Sequence, residues 1–221
     1  KIGRVVAGDV IKLVTMRNEV AKDMGFKNYH QMQLILGEQD PRVITSLFDE
    51  LDTLTKGVFT EVKGEIDDYF VSYYNLKSKE DLMPWNYQNR FFQEAPRIYD
   101  IDLSSYYKNE NLESLTAAYY FGIGLPIDDM LKKSDLYEKE DKNQHAFCIS
   151  INRLEDVRVL CNIKPNSYWM NTMLHEYGHA VYDYNIERSL PFALREPAHT
   201  FATEAIAMIF GRQASNPQWL Q

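Results

Sequence analysis

The chain has 221 residues, of which 45% are hydrophobic and 25% charged, and its net charge is −8. This is the composition of a globular chain that can bury a core, and its acidic balance argues against binding a nucleic-acid backbone, which needs clustered lysine and arginine. No apolar run approaches the roughly 18 residues of a membrane-crossing helix and no signal peptide is visible.

Helix dominates the chain from its start. Val5 to Met24 reads as one helix with Gly25 as its stop, and Tyr29 to Leu36 as a second. Pro41 opens a long third helix, in which Val43, Leu47, Phe48, Leu51, Leu54, Val58, Val62, Ile66, Phe70 and Tyr73 form an apolar stripe expected to face a core. The acidic residues of this segment, Asp49 to Asp68, lie mostly off the stripe and read as a solvated face. Met83 to Pro96 is rich in aromatic and amide side chains, a composition that suits core with polar edges or the lining of a peptide cleft. Tyr119 to Pro126 carries a Gly-x-Gly that ends a helical pattern and meets proline, so it lacks the context of a nucleotide loop. The β-branched content around 147–151 and 157–163 predicts a short hairpin.

The most informative stretch follows: His175-Glu176-Tyr177-Gly178-His179. With about 3.6 residues per turn, positions i and i+4 share one helix face, so both imidazoles can reach one metal ion. Glu176 sits one step round the helix, able to miss the metal yet touch a water beside it, as a general base does in zinc peptidases. The context is helical, because Pro165-Asn166-Ser167 is a start signal and Trp169, Met170, Met173, Leu174, Tyr177, Val181 and Tyr182 recur at helical spacing. With 5 histidines in the whole chain, a chance match is rare. A catalytic zinc takes three protein ligands, and the downstream candidates are Asp183, Glu187, Glu196, His199 and Glu204. Asp183 and Glu187 continue the same helix and read as solvated charges. Glu204 stands in a second apolar helix from about Ala198 to Phe210, which Pro191 and Pro197 separate from the first so that it can fold back; a mainly buried carboxylate there calls for a partner or a metal.

The run Ala193-Leu194-Arg195-Glu196-Pro197-Ala198-His199-Thr200-Phe201-Ala202-Thr203-Glu204-Ala205-Ile206 resembles the A-L-R-E-G-A-N-P-G-F-H-E-A-I segment of the angiotensin-converting-enzyme family of zinc peptidyl dipeptidases. His175 to His179 resembles that family's H-E-M-G-H, and Ala214 to Leu220 its S-T-P-x-H-L. The Arg17 to Phe26 segment is similar to the N-x-A-x-x-x-G-Y element of these peptidases. Oligopeptidases of the thimet and oligoendopeptidase F type share the H-E-x-G-H core and are the nearest alternative. The resemblance implies that Glu204 is the third zinc ligand beside His175 and His179. It also implies that His145 and Ala146, which match the family's H-A-S-A strand, contact the substrate.

Two departures accompany the resemblance. Met208 stands where the family has an aspartate that can orient a metal-bound imidazole, so another residue must supply that role or the site differs. Cys148 follows His145 where the family's cysteine precedes the histidine, which leaves both a Cys148–Cys161 bridge and two free thiols open.

The expected fold is therefore mainly α, a helical gluzincin-type zinc-peptidase fold with a small β-hairpin beside the cleft, in a chain that is part of one catalytic domain. Residues 1–135 would form a helical cleft wall, and residues 136–221 the hairpin and the zinc-binding helices. The expected function is a Zn²⁺-dependent peptidase acting on short unfolded peptides, of peptidyl-dipeptidase type. An oligoendopeptidase, a carboxypeptidase of a related helical family and a non-catalytic zinc-binding scaffold are the alternatives. Because the family's transition-state tyrosine and histidine lie beyond the matched segment, the remainder of a parent polypeptide is an expected partner, and the chain alone is expected to hydrolyse peptides poorly. Tyr182 and His199 are the in-chain substitutes for those groups. The resemblance slightly favours a periplasmic or secreted location.

Overall fold

The computed structural model describes residues 2–87 and 95–221. Among them, seven α-helices and one two-stranded antiparallel hairpin make the mainly helical architecture expected from the sequence. None of these helices is long and apolar enough to cross a membrane. The chain divides into two compact units, residues 1–100 and 101–221.

The first unit holds α1 (Ile2–Asp23), α2 (Tyr29–Leu36) and α3 (Pro41–Tyr73). Gly25 takes φ +86, a left-handed conformation that costs glycine little and ends α1 at the expected stop. Asn18 then braces the corner, its Oδ1 accepting from the Tyr29 N–H at 2.9 Å. Asp40 caps α3 through the Arg42 N–H, with Pro41 at the first helical position. The apolar stripe of α3 departs from expectation. Ile66 and Phe70 are buried, but Leu47, Phe48, Leu51, Leu54 and Val58 are exposed, because within this unit α3 runs well past its short neighbour α2. Of the aromatic and amide segment, Gln88, Asn89, Phe91 and Phe92 lie outside the described residues.

The second unit holds α4 (Leu112–Gly122), α5 (Asp128–Lys133), β1 (Phe147–Ser150), β2 (Val157–Leu160), α6 (Ser167–Tyr184) and α7 (Thr200–Gly211). Its centre is α6. Asn166 caps that helix by accepting from the Trp169 N–H at 2.9 Å, and Met170, Met173, Leu174, Tyr177 and Ala180 are fully buried. Tyr120 of α4 anchors to it by donating its hydroxyl to the Leu174 carbonyl at 2.5 Å. In the hairpin, Cys148 pairs with Val159 and Ser150 with Val157. Directly paired residues share a sheet face, so Cys148 and Ser150 turn inward with the buried valines while Phe147 and Ile149 face out.

Helix α7 packs on α6 at Gly178. A Cβ on Gly178 would stand 2.7 Å from the Ala207 Cα and 3.1 Å from the Phe210 ring, so the two helices meet at their backbones. Gly178→Ala is expected to destabilise the protein. Overpacking against backbone costs about 1–3 kcal/mol, while the helix-propensity gain returns at most about 1 kcal/mol. Urea unfolding checks this, and an unchanged or raised midpoint would contradict the close approach.

Candidate metal centre

The crossing of α7 over α6 at Gly178 brings Glu204 over the two histidines that flank that glycine. His175 Nε2 lies 3.2 Å from His179 Nε2, and the Glu204 carboxylate lies 3.5 Å from the first and 3.6 Å from the second. Zinc bonds of about 2.0–2.1 Å in a tetrahedron place ligand atoms about 3.3–3.4 Å apart; one donor atom from each of the three residues lies within 4.8 Å of the others, close enough for a metal ion to draw them together. The donor chemistry agrees: two imidazoles and one carboxylate leave a fourth position open, whereas a hard cation seeks more oxygens. The side chains of His175 and His179 are 21% and 15% exposed. Burial lowers the pKa of both below the ordinary histidine value, against an opposing pull from Glu204. That favours the neutral imidazole, the form that ligates.

Glu204 itself is half-exposed, because most of α7 faces away from α6: Phe201, Met208 and Ile209 are exposed and Ala207 is buried. The burial reasoning applied to Glu204 from the sequence therefore fails, and its proximity to the histidines carries the ligand assignment instead.

Glu176 is 8% exposed and lines the same cavity of about 360 Å³. Burial first, and the charge of Glu204 second, push its pKa up to about 7, with the nearby Cys148 N–H working against the rise. A carboxyl group poised there can accept a proton near neutral pH and release it again. Ala146, just before β1, and Phe147 and Cys148 of β1 also line it. His145 does not line this cavity; it is exposed, and its N–H donates to Asn143 Oδ1 at 2.9 Å. Tyr182 and His199 do not line it either. Cys148 and Cys161 are both free thiols, and burial pushes Cys161 up to about 12, so neither is an activated nucleophile.

Two residues gain roles that the sequence reading missed. Thr203 Oγ1 lies 2.7 Å from His179 Nδ1. With His179 Nε2 turned toward His175 and Glu204, a metal held there would leave the proton on Nδ1, which would then donate to Thr203 and fix the ring plane. Thr203 thus supplies for His179 the orienting contact that Met208 cannot; its place directly before Glu204 was the available signal. Thr203→Val is expected to weaken zinc binding by about 10–100-fold with little effect on the fold, as loss of such supporting bonds typically does. Chelator competition measures it, and an unchanged affinity would remove the role. Asp183, read as a solvated charge, is instead half-buried and lines the cavity. Burial raises its pKa to about 6, and the like charge of Glu196 adds to the rise. Glu187 stays a surface group, held below the ordinary carboxylate range by the Ser189 N–H and hydroxyl.

The His-His-Glu cluster, with a buried glutamate beside it, could hold a metal ion in the manner of metallopeptidase sites. Residues 129–205 match the family model of Carboxypeptidase Taq (M32) metallopeptidase, a segment running from α5 through α6 into α7. No curated protein matches the chain. The match supports a metallopeptidase and points to a carboxypeptidase family; it does not specifically support the angiotensin-converting-enzyme family.

Proposed function

We propose that this protein is a zinc metallopeptidase that trims short, unfolded peptides from their C-terminal end. The observation that carries the reading is the convergence of donor atoms from His175, His179 and Glu204 to within 4.8 Å of one another, with buried Glu176 in the same cavity. Bound zinc supplies a Lewis acid that polarises the scissile carbonyl and lowers the pKa of water to about 7. The chain's own groups do the rest. His175 and His179 present neutral nitrogens, and Thr203 holds the His179 ring. Glu176 takes the proton from the attacking water and returns it to the leaving amine. The hairpin wall at Ala146 to Cys148 borders the cavity into which an extended peptide would pass.

Two modes of end-trimming are in competition. The family match favours release of single residues, as a carboxypeptidase does. The likeness of the Ala193 to Ile206 run to the peptidyl dipeptidases favours release of dipeptides.

The test is mass spectrometry of products from a peptide ladder, with and without chelation and zinc reconstitution. Chelation is expected to abolish hydrolysis and zinc to restore it, with the size of the first C-terminal product choosing between the modes. Zinc binding without turnover of any peptide would leave the non-catalytic scaffold as the correct reading.

A further inference from the structure

Helix α7 runs antiparallel to α6, because positions that rise along α6 meet positions that fall along α7: Asn171 meets Gly211, Gly178 meets Ala207, and His179 meets Thr203. The first of these meetings lies outside the metal centre. Asn171 is part-buried one helical turn before His175, and its Nδ2 donates to the Gly211 carbonyl at 2.8 Å. That carbonyl belongs to the last turn of α7, where the α-helical ladder leaves acceptors without a partner. Gly211 is buried against the same stretch of α6, so that a Cβ on it would stand 3.4 Å from the Asn171 Nδ2 and 3.4 Å from the His175 Cβ. Among the described residues, the Asn171 bond is the one hydrogen bond between the two helices that involves no group of the metal centre.

The apolar and the polar meetings act differently. Gly178 and Ala207 set how closely the helices approach, but apolar contact has no direction and resists sliding weakly. A hydrogen bond has a preferred length and angle, so the Asn171 bond fixes where along α6 the second helix sits. The metal centre is sensitive to that position. Sliding by one residue moves a helix by about 1.5 Å, a large step for a carboxylate that lies 3.5 Å and 3.6 Å from the two imidazole nitrogens. Gly211 stands about two turns beyond Glu204, so the bond at Gly211 and the backbone contact at Ala207 together define the line on which Glu204 lies. We propose that Asn171 is a positioning residue for the metal centre: its bond to Gly211 fixes the register of α7 against α6 and so holds the Glu204 carboxylate over His175 and His179. The proposal rests on the metal-centre reading above and deepens it, by naming a residue that acts on the site through the backbone of α7.

Zinc affinity, read by chelator competition, provides the test in four proteins: wild type, Asn171→Ala, Glu204→Ala and the double variant. If Asn171 acts by placing Glu204, its removal matters only while that carboxylate is present. Asn171→Ala is expected to weaken zinc binding by about tenfold in the wild-type background, the lower end of the range for losing a supporting bond. In the Glu204→Ala background the same change is expected to alter affinity by less than about twofold, the scatter of independent sites. Asn171→Gln, which keeps an amide donor, should recover part of the loss. Asn171→Leu, which keeps the volume but no donor, should behave as Asn171→Ala does, and it replaces that variant in the cycle if the alanine protein does not fold. An equal loss in both backgrounds would show that Asn171 merely supports α6 and its two histidines, and would overturn the proposal. So would unchanged affinity in folded Asn171→Ala, full recovery by Asn171→Leu, or failure of both donor-lacking variants to fold, which would assign the residue to the fold as a whole. The two readings fail separately. A wild-type chain that binds no zinc removes the metal centre and this role with it, whereas zinc binding without coupling between Asn171 and Glu204 removes the role of Asn171 alone.

Discussion

Glu176→Gln is expected to lower peptide turnover by about 10²–10⁴-fold, the range that general-base catalysis typically contributes, with zinc content unchanged. The substitution is nearly isosteric, and Glu176 is buried beside the ligands without being one of the three donors that converge. Glutamine keeps the packing but cannot take a proton from water. Loss of a buried carboxyl whose pKa is raised to about 7 by desolvation also removes a strained group, so the variant should unfold at the same or a higher temperature than the wild type. Turnover, metal analysis and thermal unfolding together decide the role. Near-normal kcat with intact zinc would show that another group activates the water. Loss of zinc would show that Glu176 is a ligand after all.

The second large effect is on the metal itself. Glu204→Ala is expected to reduce zinc affinity by more than the about 10–100-fold typical of losing a supporting hydrogen bond, because it deletes one of three donors. Since Glu204 is half-exposed, the fold should tolerate the change. Metal titration of the purified variant against a competing chelator reads the effect, and affinity equal to wild type would exclude Glu204 from the ligand set. Retention of activity at saturating zinc, with affinity reduced, would place Glu204 in holding the ion rather than in the chemistry.

Much of the fold was legible in the sequence because its signals are local. The α2 and α3 boundaries were readable from proline and the apolar periodicity, and Gly25 marks the end of α1 because glycine adopts a left-handed φ at little cost. The placement of His175 and His179 on one face needed only the helical repeat. A short hairpin around 147–151 and 157–163 was readable from β-branched content, though its register, Phe147 to Ser150 against Val157 to Leu160, came from the structure.

What the sequence could not specify depends on how two helices cross. Glu204 could be picked out by resemblance, but its approach to within 3.5–3.6 Å of both histidines is set by the contact of Gly178 with Ala207. The same crossing puts Thr203 against His179 and leaves the rest of α7 exposed, so a helix that read as buried is buried on one side only. Asp183 lies on α6 at a position whose local spacing suggested solvent; the hairpin and the loop bearing Glu196 and Pro197 close around it. The sequence by itself determined which residues could share a helix face, because that follows from backbone geometry within a few residues. Only the tertiary structure decided which faces meet, because packing depends on side-chain volume and backbone approach between segments far apart in the chain.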